Sequence, residues 1–246
     1  GEAAFLNCTG LTAIAISQNI TNIENSVFFG CSSLRNIRIP DNVARIGACS
    51  FSGCSELTNV VLGTGTTSID AEAFSSCGLA TVTISSNVMS ISDGAFHSFT
   101  NLMGIEVDEA NGFYCSSNGI LYDKTLTILV QYPAGKAGAF SVPAGVTNIA
   151  PHAFESCREL PEVTTPDSVV GIGSHAFNHS GLTNVLLSRN IESLGTGAFR
   201  SCSYLCQFVV EPGNSFYSSL DGVLYNWEST VLIQFPDGKT NQYAIP

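Results

Sequence analysis

Nine cysteines, four histidines and twenty carboxylates are the residues of this chain that could do chemistry. Cys8, Cys31, Cys54, Cys77, Cys157 and Cys202 recur at one fixed place, three residues after a phenylalanine. Stacked units would bring these cysteines near disulfide distance, but identical positions have parallel Cβ vectors, which suit bridging poorly. Free, buried, structural thiols are therefore expected. Cys49, Cys115 and Cys206 lie off this ladder, and with no Cys-x-x-Cys pair a zinc cage is not expected. His152 and His175 each precede an alanine in successive units, and His179 follows one turn later. They are expected on a polar convex edge rather than as metal ligands, close enough for the two imidazoles to titrate together. Carboxylates such as Asp41, Asp70, Asp93 and Asp167 are scattered over turns, and there is no Gly-x-Ser-x-Gly elbow, His-Glu-x-x-His motif or phosphate loop. The expectation is no catalytic residue, no metal, no cofactor and no enzyme, with a carbohydrate-active or peptidase role as a distant alternative. Sequons at Asn7, Asn19 and Asn178 read as chance products of Asn-rich turns.

The elements that position these residues follow from a repeat of about 23 residues, marked by Phe5, Phe28, Phe51, Phe74, Phe96, Phe154, Phe177 and Phe199. In the second unit Phe28, Cys31, Leu34, Ile37, Ile39, Val43 and Ile46 form the inward set. Leu34-x-x-Ile37-x-Ile39 ends in a strand-like alternation, which Pro40 stops because it lacks a ladder N–H. The Phe-x-x-Cys segment has helical spacing over one turn, which predicts a short helix or 3₁₀ turn. A fixed period of this size builds a stack in which each unit buries its inner face against its neighbours. Identical positions then lie about 5 Å apart, Phe on Phe and Cys on Cys.

A second period is longer. Pro40–Pro143 maps onto Pro143–Pro246 at a constant offset of 103. Each copy ends in an island, at about 108–139 and 211–242, where two apolar runs flank a polar link and predict a β-hairpin. Each island should rejoin the stack through a strand, at Phe140–Val142 and Tyr243–Ile245, giving ten rungs on the main sheet. Phe113 and Phe216 are expected to pin the hairpins down.

The chain has 246 residues, 44% hydrophobic and 12% charged, with a formal net charge of -11, and a mean hydropathy of +0.24. That supplies a continuous core and excludes the basic footprint of nucleic-acid or anionic-membrane binders. No apolar run is long enough to span a bilayer, and no signal peptide opens the chain. The ends carry no polar caps, so the sequence reads as one solenoid domain over 1–246, part of a longer protein, with a risk of end-to-end self-association.

Ala73-Phe74-x-x-Cys77, Ala153-Phe154-x-x-Cys157 and Ala198-Phe199-x-x-Cys202, each followed by a Leu and an Ile/Val strand, resemble the BspA-like (treponemal-type) leucine-rich repeat. The resemblance covers nearly the whole chain. It implies an α/β, right-handed leucine-rich-repeat solenoid, with a parallel β-sheet on the concave face and short helical or 3₁₀ turns elsewhere. It also implies a surface protein of a host-associated bacterium or protist. Two units depart from the pattern: Phe99 and Ser180 replace the ladder cysteine. The units at Cys77-Gly-Leu79 and Ser180-Gly-Leu182 lack one residue before the leucine, which should tighten that corner.

Residues between the inward positions of each main strand should face outward. They are Asn36, Arg38, Asn59, Val61, Thr81, Thr83, Glu106, Glu162, Thr164, Asn184, Leu186, Gln207 and Val209. Such a stripe is either an ordinary solvated sheet face or a docking surface for a protein or glycan. The island tips, Tyr114, Tyr122, Tyr217, Tyr225 and Trp227, are a second candidate. The expected function is an extracellular interaction or adhesion module at a bacterial cell surface. The alternative is a structural spacer that displays another domain.

Overall fold

A computed structural model describes residues 1–240 and 243–245 of the chain. The chain winds as a solenoid of short β-strands joined by turns, and no α-helix or 3₁₀-helix forms among the described residues. The α/β class and the helical turns expected from the Phe-x-x-Cys spacing are corrected by this. The reason is backbone handedness. Ser26 (φ 55°), Glu72 (57°) and His152 (61°) stand two places before their phenylalanine, and Ser76 (57°), Ser156 (62°) and Ser201 (56°) two places after it. A right-handed helix cannot hold left-handed residues four apart. Instead, alternate N–H groups turn toward the next rung: Ser26 N donates to Ala48 O at 2.9 Å, Phe28 N to Ser50 O at 2.7 Å and Gly30 N to Ser52 O at 2.8 Å. Gly30 (φ 70°) and Gly53 (φ 77°) occupy the second left-handed column, where lacking a Cβ removes the strain.

Two parallel ladders run along the stack. The side ladder is continuous within each half. Asn22–Ile23, Arg45–Ile46, Ser68–Ile69 and Ser90–Ile91 form one sheet; Ile128–Gln131, Asn148–Ile149, Gly171–Ile172 and Ser193–Leu194 form the other. The main ladder is broken into pairs: Asn36–Arg38 with Asn59–Val61, Thr81–Ile84 with Gly104–Val107, Phe140–Ser141 with Val163–Thr164, and Asn184–Leu187 with Gln207–Val210. Ala13 adds a single bridge to Asn36. Two breaks fall where the one-residue-short units begin, at Cys77-Gly78-Leu79 and Ser180-Gly181-Leu182. The shorter corner pulls the following strand out of hydrogen-bonding register. A third break is the first island. The expected ten-rung continuous sheet is thereby replaced by rung pairs. No strand forms at Tyr243, Ala244 or Ile245, while Pro246 and the last two residues of the second island, 241 and 242, lie outside the described residues.

Phenylalanines stack down the axis at ring-centroid distances of 5.3, 5.1, 5.2 and 5.9 Å from Phe5 to Phe96. Tyr132 then takes the phenylalanine place and stacks on Phe154 at 5.1 Å, followed by Phe177 and Phe199 at 4.8 and 5.3 Å. The core falls into two clusters that meet at the first island. The cysteine ladder is unbridged, and its thiols donate to the phenylalanine carbonyl of the preceding rung: Cys31 to Phe5 O at 3.1 Å, Cys54 to Phe28 O at 3.2 Å and Cys77 to Phe51 O at 3.1 Å. Burial pushes the Cys54 thiol up to about 12 and Cys77 well above its ordinary value. Cys8, expected to be buried with its ladder, is exposed because no rung precedes its coil in the structure.

Phe51→Ala should cost about 3–5 kcal/mol, read by urea unfolding, because it empties a fully buried place between two stacked rings. Phe5→Ala, at the half-exposed end of the column, should cost clearly less. A thiol reagent should label exposed Cys8 and Cys206 quickly and the buried Cys31, Cys54, Cys77, Cys157 and Cys202 only after unfolding. Equally fast labelling of all nine would contradict the thiol ladder.

Candidate functional site

The thirteen stripe residues named from the alternation are all solvent-exposed: Asn36, Arg38, Asn59, Val61, Thr81, Thr83, Glu106, Glu162, Thr164, Asn184, Leu186, Gln207 and Val209. Ladder pairing sets Asn36 beside Asn59 and Arg38 beside Val61. It sets Thr83 beside Glu106, Asn184 beside Gln207 and Leu186 beside Val209. Leu186 and Val209 are 47% and 43% exposed, so this pair is an apolar spot on a mostly polar face, which Val61 (42%) interrupts once more in the first half. The stripe is therefore four patches rather than one band.

Between Val163–Thr164 and Asn184–Leu187 no strand pairing joins the two halves of the sheet. Thr183 N donates to Pro161 O at 3.1 Å on one side of this break, and Asn190 Nδ2 donates to Asp167 O at 2.8 Å on the other. What lies between is a cleft of about 210 Å³ lined by Glu162, Val163, Thr164, Thr183, Asn184 and Leu186. It presents a carboxylate, an amide, two hydroxyls and an apolar wall, a set able to hydrogen-bond a polar ligand and pack on its carbon skeleton. Beneath each break the two halves match: a void of about 10 Å³ is lined by Val163, Phe177, Leu182 and their neighbours in the second half, and one of the same size by Val60, Leu62, Phe74 and their neighbours in the first.

The islands differ from the sequence-based expectation. Each is a three-stranded antiparallel meander: Tyr114–Ser117, Ile120–Asp123 and Ile128–Gln131 in the first, Tyr217–Leu220, Val223–Asn226 and Leu232–Gln234 in the second. The extra hairpin turns at Asn118-Gly119 and Asp221-Gly222, all at positive φ. These dipeptides are the sequence signal for such a turn. Tyr122 and Tyr225 are not at tips; each lies in a middle strand, 1% and 2% exposed. Burial pushes the Tyr122 phenol up to about 12. Tyr114 and Tyr217 are half-buried, and their hydroxyls accept the N–H of Ile91 at 2.8 Å and of Leu194 at 2.9 Å. Each stands in for the carbonyl of a missing side-ladder rung. These tyrosines pin the islands, whereas Phe113, Phe216 and Trp227 are exposed by 50%, 48% and 60%.

Asn111 and Asn214 are buried staples. Asn111 Nδ2 donates to Ser85 O and Val88 O, and its Oδ1 accepts from Phe113 N and Tyr114 N; Asn214 repeats all four bonds. At the hairpin link, Asp123 in the first island and Asn226 in the second accept equivalent backbone N–H groups. Burial raises the Asp123 carboxyl, but bonds from Thr125, Ile128 and Thr127 outweigh it and hold it below the ordinary value.

His152 and His175 are stacked neighbours, with centroids 5.4 Å apart. His97, which repeat spacing does not place beside them, packs against His152 with ring centroids 5.2 Å apart and the rings tilted by 34°. Its Nδ1 hydrogen-bonds its neighbour Ser98 Oγ at 2.9 Å and lies 3.3 Å from Glu155 Oε2 across the island rung. A hydrogen bond to Glu155 raises His152, burial lowers His97, and Glu155 is held low by its imidazole partners and Asn178 against its own burial.

The family model described as "BspA type Leucine rich repeat region" matches residues 1–103 and 134–242 in six copies. A leucine rich cell surface protein from Faecalibacterium prausnitzii superposes with a TM-score of 0.77 at 33% identity, covering 84% of this chain and 55% of that one. A leucine-rich repeat protein from Eubacterium ventriosum gives a TM-score of 0.67 at 25% identity, covering 77% and 57%. The pneumococcal vaccine antigen PcpA gives 0.69 at 21% identity, covering 80% and 55%, a likeness of fold alone. This chain thus spans a little over half the length of these three solved chains. No curated protein matches it.

The two hairpin links should respond differently to acid. Because the Asp123 pKa is depressed by folding, its contribution is present above the unfolded carboxylate value, about pH 4, and is lost as pH falls through the lower folded value. Asp123→Asn copies the second island and does not titrate. The gap in thermal midpoint between wild type and this variant should shrink as pH drops below about 4. A gap that stays constant would remove the assignment.

Proposed function

The chain belongs to the BspA-type leucine-rich-repeat family, and from that premise we propose that it is an extracellular protein-interaction and adhesion module of a bacterial cell surface. It binds a protein or glycan through the exposed face of the main strands. The observation that carries this reading is the broken sheet. Here the face opens into a cleft of about 210 Å³ beside Glu162, Thr164 and Asn184, with the exposed apolar Leu186–Val209 pair next to it. Polar groups that fix orientation beside a small apolar anchor make up a recognition patch. The negative net charge favours neutral or basic partners over nucleic acid. No helix among the described residues is long and apolar enough to cross a membrane.

The purified chain should be tested against arrayed extracellular-matrix proteins and cell-surface glycans. The triple substitution Arg38→Ala, Glu106→Ala, Leu186→Ala should weaken whatever binding is found by about tenfold or more, with the thermal midpoint unchanged. A control triple away from the strand face, Met89→Ala, Arg158→Ala, Glu192→Ala, should not. Equal loss from the control would move the site off this face. Loss of adhesion only on deleting a neighbouring domain of the parent protein would favour the spacer role.

A further inference from the structure

We infer that His97, His152 and Glu155 form a binding site for one borderline divalent transition-metal ion, of the zinc, cobalt or nickel type, that clamps the two halves of the solenoid together. The three ligand atoms lie within 4.8 Å of one another. They come from different halves: His97 follows Phe96 in the last unit before the first island, and His152 and Glu155 flank Phe154 in the first unit after it. The rung between them carries Gln131-Tyr132-Pro133 in place of a phenylalanine turn. Its outer edge is therefore missing, and His97 reaches across the notch.

The geometry is close to that of a metal site. Ligand atoms about 2.0–2.2 Å from a tetrahedral ion sit about 3.3 Å from one another. His97 Nδ1 and Glu155 Oε2 are 3.3 Å apart. His152 Nδ1 and the same oxygen are at 2.5 Å, a hydrogen bond that would open by under about 1 Å around an ion. Outer contacts fix the ligands as metal sites require. Asn178 Nδ2 donates to Glu155 Oε1 at 2.8 Å. His97 Nε2 is buried with no hydrogen-bond partner, and Glu72 Oε2 lies 3.9 Å from it. A proton on that nitrogen, drawn toward Glu72, leaves the Nδ1 lone pair as an acceptor; it now takes the Ser98 hydroxyl at 2.9 Å, a contact that an ion would displace. Gly94 makes the room: a Cβ there would come within 3.1 Å of the His97 ring and 3.3 Å of the His152 ring. Two imidazoles and one carboxylate select the zinc-like ions over calcium and magnesium, which take oxygen ligands.

Repetition does not explain the cluster. At the offset of 103, His97 corresponds to Arg200, His152 to Cys49 and Glu155 to Ser52. The three ligands are brought together only where the two core clusters meet, so an ion there would link residues whose rungs share little backbone pairing.

The test is calorimetric titration of chelator-stripped protein with Zn(II) and Co(II). One ion per chain is expected, and at a hundred times the dissociation constant the thermal midpoint should rise by about 5–10 °C. His97→Gln and His152→Gln should each weaken binding by at least about 100-fold and Asn178→Ala by about 10-fold, since outer contacts count for 10–100-fold. His179→Gln, exposed and outside the cluster, should bind normally. Circular dichroism separates lost ligands from lost fold. The wild-type Co(II) complex, which needs no variant, should lack thiolate charge-transfer absorption. The inference is overturned by a thiolate band, by undiminished binding in folded His97→Gln, or by no saturable binding of either ion.

Discussion

Everything in this fold depends on one requirement: each coil must hand alternate backbone N–H groups to the coil beside it. A strand does this by its own geometry, but a turn does not. The chain meets the requirement by placing left-handed residues two before and two after each phenylalanine, so that N–H groups two apart point the same way along the stack. A left-handed L-residue costs about 1–2 kcal/mol. The inter-rung bond at each turn, together with the burial of a phenylalanine between two others, offsets that cost. The columns accordingly collect Ser, Asn, Gly and His, and the strands stay only two to four residues long. Cooperation between neighbours, rather than local propensity, holds each element in place.

The islands solve the problem this creates at an end. A coil with no neighbour leaves its N–H groups unpaired. Ile105 N finds Gly119 O at 2.8 Å, Val107 N finds Ser116 Oγ at 3.2 Å, and Ile91 N finds the Tyr114 hydroxyl. The first island thus closes both ladders and then restarts the side ladder through Ile128–Gln131. The second repeats the closure with Gly222, Ser219 and Tyr217. The islands are internal caps, and the aromatic rings they leave outside, Phe113, Phe216 and Trp227, are the ones free to meet another molecule.

Much of this was legible in the sequence, because a repeat converts one-dimensional spacing into contacts. The phenylalanine column, the thiol ladder and the outward stripe all follow from adding 22 or 23 to a residue number. The helical reading failed because Phe-x-x-Cys spacing serves a chain of overlapping turns as well as a helix, and only backbone handedness separates the two. Tyr122 looked like a tip residue because the extra hairpin at Asn118-Gly119, which makes its strand a middle one, was not read as a turn. His97 escaped because its partners lie two rungs away across a coil that lacks its outer edge. The missing residue before Leu79 and Leu182 was visible, but its effect on pairing belongs to three dimensions.

Those two short corners give the molecule a direction of bending. At each, the main ladder is interrupted while the side ladder runs on without a break, through Arg45, Ser68 and Ser90 in one half and Asn148, Gly171 and Ser193 in the other. A beam bonded along one edge and cut along the opposite edge yields by opening at the cut. Under load, this solenoid would flex about its side ladder, in blocks of two rungs, before any coil unwinds. The clefts at the cuts would widen or narrow as it does so. A ligand seated in one of them would then act as a wedge, coupling what the surface grips to how stiffly the chain transmits tension.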